Sequence, residues 1–222
     1  MKNDNHTKIE IKYLYISEEF HIKHYDVYLS KLPTVIRDKI TKFKRWQDSQ
    51  ASLIGKYLII NNILNGNINK LANLEYNKYG KPFILGYPYF NISHSNNIVV
   101  FIYCDHKIGI DIEFVKDINV EDFKSQMTND EWSKIQKAFN KTTAFYDYWT
   151  QKEAVTKANG KGLNIPFNSF EINKKSTVIE SEKFYLKKIY LDENFICHTA
   201  VKMTFKNSVF FNIEMLQEAS SL

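Results

Sequence analysis

The stretch Gly109-Ile110-Asp111-Ile112-Glu113 alternates apolar with acidic residues, so as a strand it turns Asp111 and Glu113 to one face and Ile110 and Ile112 to the other. Two carboxylates then stand side by side. They repel unless a cation or hydrogen-bond donors offset their charge, and a hard divalent ion such as Mg²⁺ takes oxygen ligands of this kind. Taken alone, so short a motif reads more often as the solvated face of an edge strand. The surroundings reverse that reading: Gly109 allows close backbone approach, both flanks are apolar, and a third carboxylate is expected from a helix further along.

That helix is the segment Trp149-Thr150-Gln151-Lys152-Glu153-Ala154, continuing to Lys157 and followed by Gly160-Lys161-Gly162-Leu163. Trp149, Glu153 and Lys157 stand at i, i+4 and i+8, which stacks an aromatic, an acid and a base on one helical face. Glu153 and Lys157 by themselves read as an exposed ion pair worth a few tenths of a kcal/mol. Trp149 on the same stripe predicts a partly buried face, where an acid and a base need partners such as a metal and a phosphate. Because Mg²⁺ retains waters and is usually completed by substrate phosphates, a three-acid site without histidine implies a phosphate-bearing substrate.

Working outward, Ile9 to Ile16 alternates as a strand, Pro33 opens a helix through Phe43, and a second helix is capped by Asp48 or Ser49 and stopped by Asn65-Gly66. Tyr79-Gly80-Lys81-Pro82 and Gly86-Tyr87-Pro88 are turn signals, after which Phe90 to Ser95, Ile98 to Cys104 and Lys107 to Phe114 read as strands. Beyond them a helix over Asp130 to Phe139, capped by Thr128 or Asn129, precedes a longer one from about Thr142 to Ala158. Three strands, Phe184 to Leu191, Phe195 to Met203 and Val209 to Met215, close the chain. This order predicts an α+β protein of two halves, 1–106 and 107–222, meeting near Asp105 to Ile108.

At 222 residues the chain is long for one domain and short for two independent ones, and 44% hydrophobic with 15% aromatic content excludes a disordered protein. The formal charge of +5 suits anionic small molecules or an acidic protein partner. Nucleic acid is not expected, because no basic run marks either terminus and three acids would repel phosphate without a metal. Met1 to His6 is polar where a secretion signal has its apolar core, and the most apolar stretch, Leu53 to Leu64, is interrupted by Lys56, Asn61 and Asn62, so no membrane segment is expected. Cys104 and Cys197 lack metal-ligand spacing and predict reduced, buried thiols in a cytoplasmic protein.

Phe90-Asn91-Ile92-Ser93-His94-Ser95 places two hydroxyls and an imidazole beside a turn, a composition able to donate hydrogen bonds to phosphate oxygens. A catalytic triad is rejected: Ser93 and His94 project to opposite faces of a strand, and no Gly-x-Ser-x-Gly elbow exists. Lys81, in a turn between Gly80 and Pro82, is either a solvated loop lysine or a phosphate anchor. Cys197-His198 has no further ligands at zinc spacing and reads as core.

Four blocks in order, Tyr79-Gly80-Lys81-Pro82, Phe90 to Ser95, Gly109 to Glu113, and Trp149 through Lys157 to Leu163, resemble the surfactin-type 4′-phosphopantetheinyl transferases. A fainter similarity runs upstream through Arg37, Lys39, Phe43, Ser52, Leu53 and Gly55. The resemblance implies a pseudo-dimer of two α+β halves with coenzyme A and Mg²⁺ in the cleft between them. It further implies transfer of the phosphopantetheine arm to a serine of an apo acyl or peptidyl carrier protein, by a monomeric enzyme. Carried over by position, Asp111, Glu113 and Glu153 would hold the metal. Lys39, Lys81, Ser93, His94 and Lys157 would contact coenzyme A, chiefly its phosphates. Glu153 and Lys157 would be catalytic, and Glu131 falls where the family has a glutamate near the active site. The chain departs from the pattern at Ala51 and Ile36, where family members often carry basic residues, and Arg37 or Lys56 would then supply part of the grip. Phe114 to Met127, with Phe123, is the expected carrier-docking segment. The competing reading is a non-catalytic coenzyme A or carrier-binding module, which would keep the lysines but need no Glu153.

Overall fold

The structure, a computed structural model, describes residues 6–203 and 208–218. The N-terminal residues read above as lacking a secretion signal lie outside the described residues up to residue 5. The first half runs β1 (His6–Tyr15), α1 (Glu18–Lys31), α2 (Thr34–Ile40), α3 (Trp46–Asn62), a short hairpin of β2 (Glu75–Tyr76) and β3 (Pro82–Phe83), then β4 (Tyr89–Ser95) and β5 (Ile98–Cys104). The second runs β6 (Ile108–Phe114), α4 (Asn129–Lys137), α5 (Lys141–Asn159), β7 (Ser176–Ile179), β8 (Glu182–Ile189), β9 (Phe195–Lys202) and β10 (Ser208–Met215).

Helix α1 has no counterpart in the sequence reading, which left Ser17 to Leu32 unassigned. Its apolar periodicity is weak, yet its ends are marked. The Ser17 hydroxyl accepts from the Phe20 N–H, Glu18 and Glu19 occupy the first turn and Lys31 the last, the charge order a helix dipole favours. Helix α3 begins upstream of the expected caps, with Arg45 at the N-cap position and no side-chain cap. Helix α4 has the capping box the sequence offered: Thr128 accepts from the Glu131 N–H while Glu131 accepts from the Thr128 N–H.

Two four-stranded sheets result, ordered β10-β1-β5-β4 and β6-β9-β8-β7. All neighbours are antiparallel except β1 and β10, which pair in parallel. The expected halves are therefore interleaved: the first sheet takes its outer strand from the C-terminal end of the chain. Glu218 follows this strand back and accepts from the Ser17 backbone and hydroxyl.

Strand alternation sorts the core into layers. On β5, Val99 and Phe101 face α1–α3, while Ile98, Val100 and Ile102 face a shared core with Ile108, Ile110 and Ile112 of β6. The other face of β6 carries Gly109, Asp111 and Glu113 toward α5, as the alternation predicts. A Cβ on Gly109 would lie 2.2 Å from the Ala154 carbonyl oxygen and 2.4 Å from the Ala158 nitrogen, so only glycine lets α5 sit this close to β6.

Candidate active site

Strand β4 ends the first sheet and β6 ends the second, and side chains join them where a backbone ladder is missing. Asn91 Oδ1 accepts from the Ile110 N–H at 2.8 Å, Ser93 Oγ from Ile112 at 3.4 Å and Ser95 Oγ from Phe114 at 3.0 Å. Every second residue of one strand thus satisfies every second amide of the other. The two serines also donate across the seam, Ser93 to Asp111 Oδ1 at 3.0 Å and Ser95 to Glu113 Oε2 at 2.9 Å. Sequence reasoning noticed the hydroxyls of this segment but missed Asn91 and Ser95 as seam residues. The signal available was the i, i+2, i+4 spacing of Asn91, Ser93 and Ser95.

From α5, the Lys157 ammonium reaches Asp111 Oδ1 and lies 3.2 Å from Ser93 Oγ. Asp111 is buried, and its second oxygen, Oδ2, has no hydrogen-bond partner among the described residues. Burial raises the Asp111 pKa despite Lys157 and Ser93, and raises that of Glu113, to which the neighbouring Asp111 charge adds. Glu153 belongs to the same electrostatic group: burial pushes its pKa up to about 7, with Lys157 opposing and Asp111 and Glu113 adding to the rise. Burial works against the Lys157 charge, but Asp111 and Glu153 outweigh it and hold that ammonium above its ordinary pKa. Three carboxylates therefore share one lysine.

Among the described residues no three His, Cys, Asp or Glu side chains close into a preformed ion cage, and Asp111 Oδ1 is paired with the Lys157 ammonium. The donor chemistry nonetheless fits a hard divalent cation: the set is all carboxylate, the ionised forms are disfavoured as they stand, and Asp111 keeps one buried oxygen unpartnered.

The remaining expected site residues separate. His94 lies on the β4 face opposite Ser93; desolvation, with the Lys157 and Arg45 charges adding to it, holds its pKa below the ordinary value. Ser93 is saturated, donating to Asp111 and accepting from Ile112 and Lys157. Lys81, expected as a phosphate contact, points its ammonium at the carbonyls of Ile108 (2.9 Å), Lys157 (2.6 Å) and Ala158 (3.4 Å). It caps the C-terminal end of α5, where unpaired carbonyls and the helix dipole attract a cation, and burial lowers its pKa to about 8. Lys39 stands apart, over the Tyr76 ring at 4.1 Å.

Glu131, whose role the sequence left open, forms a fully buried pair with Lys152 at 2.9 Å. Phe123, expected at a docking surface, leans on Phe145 and Trp149 with ring centroids 4.8 and 5.6 Å away, so it is partly core. Trp149 is half-buried against Phe123, Phe145 and Phe167, as its place on the Glu153 stripe predicted. Cys104 and Cys197 are free and buried, and His198 is buried with Nδ1 on Thr150 Oγ1. No described helix is long and apolar enough to cross a membrane.

The half of the chain that holds β6 and α5 also carries a family match. Residues 107–206 match the family described as the 4′-phosphopantetheinyl transferase superfamily. The chain is 40% identical over 154 residues to 4′-phosphopantetheinyl transferase gsp of Aneurinibacillus migulanus, a match covering 64% of this chain and 63% of that protein. It is 33% identical to 4′-phosphopantetheinyl transferase Sfp of Bacillus subtilis, over 61% of this chain and 63% of the relative. A third relative, the L-aminoadipate-semialdehyde dehydrogenase-phosphopantetheinyl transferase of Xenopus laevis, is 28% identical over 71% of this chain and 59% of its own length. The chain thus spans just under two thirds of the curated relatives it matches. The surfactin-type resemblance read from the four motif blocks agrees with these matches, and the order of helices and strands bears out the α+β class.

Proposed function

We propose that this chain transfers the 4′-phosphopantetheine arm of coenzyme A to a serine of an apo acyl or peptidyl carrier protein, releasing adenosine 3′,5′-bisphosphate. The observation that carries the reading is the group Asp111, Glu113 and Glu153 at a half-dry seam with Lys157 as their shared cation and Asp111 Oδ2 without a partner. Names of relatives in the phosphopantetheinyl transferase family support it.

Asp111, Glu113 and Glu153 are the residues that would hold Mg²⁺, which when bound supplies Lewis-acid neutralisation of charge on a diphosphate. Glu153, with its pKa near 7, is suited to take the proton from the carrier serine hydroxyl as that oxygen attacks the pantetheine-side phosphorus. The bond from that phosphorus to the bridging oxygen breaks, and the nucleotide leaves with the negative charge. Lys157, the ammonium nearest the carboxylates, offsets that charge on the leaving group. His94, on the β4 face opposite Ser93, would hydrogen-bond a phosphate oxygen, and Lys39 would contact the nucleotide end. Lys81 and Ser93 act one step back: Lys81 fixes the end of α5, and Ser93 fixes Asp111 and Lys157. The reading extends to a monomer working in the cytoplasm, with the cleft between the 1–106 and 107–222 halves as the coenzyme A site.

The deciding experiment incubates the protein with coenzyme A, Mg²⁺ and an apo carrier and reads the carrier by intact mass. One added phosphopantetheine arm is expected. An unmodified carrier across fatty-acid, polyketide and peptide-synthetase types overturns the proposal.

A further inference from the structure

Asn91, Ser93 and Ser95 each accept a β6 amide across the seam, but only the serines have a hydroxyl proton left to donate to an acid. Each serine directs it to the carboxylate 18 positions further along, Ser93 to Asp111 and Ser95 to Glu113. The spacing of the hydroxyls on β4 therefore copies the spacing of the acids on β6.

The two acids differ in how else they are held. Asp111 is buried and also meets the Lys157 ammonium. Glu113 is half-buried near the end of its strand, and among the described residues its carboxylate receives one hydrogen bond, the 2.9 Å contact from Ser95 Oγ. The Asp111 charge on the same face of β6 repels it. A glutamate side chain is long and rotates freely, so without an anchor the Glu113 carboxylate swings away from its neighbour.

Ser95 is not free to follow. Its backbone pairs with Ile98 across the turn at Asn96-Asn97. Its Oγ takes the Phe114 N–H at 3.0 Å, and the Phe114 ring lies edge-on to Phe195 with centroids 5.2 Å apart. With that amide on the oxygen, the hydroxyl proton is left for Glu113 Oε2.

We infer that Ser95 is a positioning residue: its hydroxyl fixes one oxygen of Glu113 at the seam, so that the carboxylate keeps the orientation in which it joins Asp111 and Glu153 around a divalent ion. This rests on the metal assignment within the transferase reading. Hydrogen bonds that orient a ligating side chain typically change metal affinity by roughly ten- to a hundredfold.

The test measures binding of Mn²⁺, an oxygen-seeking stand-in for Mg²⁺, by loss of the free-ion electron paramagnetic resonance signal, a readout that needs no turnover. Ser95→Ala is expected to weaken binding by about tenfold or more, and Ser95→Thr, which keeps the hydroxyl, by less than about threefold. Asn91→Ala removes a seam acceptor that touches no described carboxylate, so it should leave the affinity within about threefold of the wild type. In a Glu113→Ala background, adding Ser95→Ala should change binding by less than about twofold, because Ser95 acts through Glu113. That comparison decides the matter even where Asn91→Ala does not fold. Wild-type affinity in Ser95→Ala, an equal loss in Asn91→Ala, an undiminished effect without Glu113, or a wild type that binds no Mn²⁺ each overturns the inference. Ser95-dependent Mn²⁺ binding by a protein that modifies no carrier would remove the transferase reading alone.

Discussion

Helix α5 carries two lysines five residues apart, and each meets buried carboxylates, but the two clusters are built to opposite ends. Lys152 is fully buried and saturated: it donates to Glu131 at 2.9 Å and to the carbonyls of Phe167 and Phe170, both at 2.7 Å, and sits over the Phe170 ring. Glu131 in turn accepts from the Ile172 and Thr128 amides. No valence is left for a ligand. Lys157 faces three carboxylates instead of one, Asp111 Oδ2 has no partner among the described residues, and burial raises the Glu153 pKa to about 7. Equal ingredients on adjacent faces of one helix thus give a staple in one case and a reactive site in the other, and the difference is whether every polar atom is satisfied.

The comparison breaks most severely at the residue that seats α5 for both clusters. Gly109→Ala places a methyl inside 2.5 Å of the α5 backbone, and a loss of about 4 kcal/mol or more in urea unfolding, or no cooperative transition at all, is expected. A variant as stable as the wild type would show that α5 can shift freely.

Next comes the staple alone. Lys152→Met leaves Glu131 buried without its cation, and a loss of about 3–5 kcal/mol is expected by chemical denaturation. A change under about 1 kcal/mol would mean the amides at Thr128 and Ile172 suffice for Glu131.

The reactive cluster should respond in activity and not in stability. Glu153→Gln keeps the shape but removes the proton acceptor and one carboxylate, so kcat for carrier modification should fall by about two to three orders of magnitude. Its thermal midpoint should match or exceed that of the wild type, because a half-buried charge is gone. Loss of both fold and function would place Glu153 with the staple.

The smallest effect is the part of the pH dependence that Glu153 contributes. The Glu153 carboxyl titrates near 7 in the folded protein against 4.5 for its ordinary value, so between these pH values the folded state binds more protons than the unfolded one. The Glu153 contribution to stability without metal therefore decreases as pH rises from about 4.5 through 7, by about 1–2 kcal/mol after allowance for its partial exposure. Glu153→Gln should flatten this slope, and millimolar Mg²⁺ should restore stability at pH 8 relative to chelator. A wild-type profile unchanged by either would separate Glu153 from the metal.

The site was legible in the chain where chemistry follows local periodicity. Alternation alone put Asp111 and Glu113 on one face, Gly109 allowed a close backbone neighbour, and helical spacing put Glu153 and Lys157 together with Trp149. Less legible was how polar groups would be shared. Lys81 reads as a solvated loop lysine or a phosphate anchor, yet its ammonium turns to the carbonyls at the end of α5. Glu131 and Lys152 lie 21 positions apart, with nothing local to pair them. Helix α1 escaped because its apolar face is indistinct, although its caps were written in Ser17, Glu18 and Glu19.

What this chain determines by itself is the facing of its side chains, since periods of two and of 3.6 residues are backbone properties that need no distant partner. The tertiary structure alone decides which polar groups end satisfied, because burial and hydrogen-bond completion depend on residues brought from remote segments. Ser93 from β4, Asp111 from β6 and Lys157 from α5 share one set of bonds. Only their assembly leaves one carboxylate oxygen with nothing to hold.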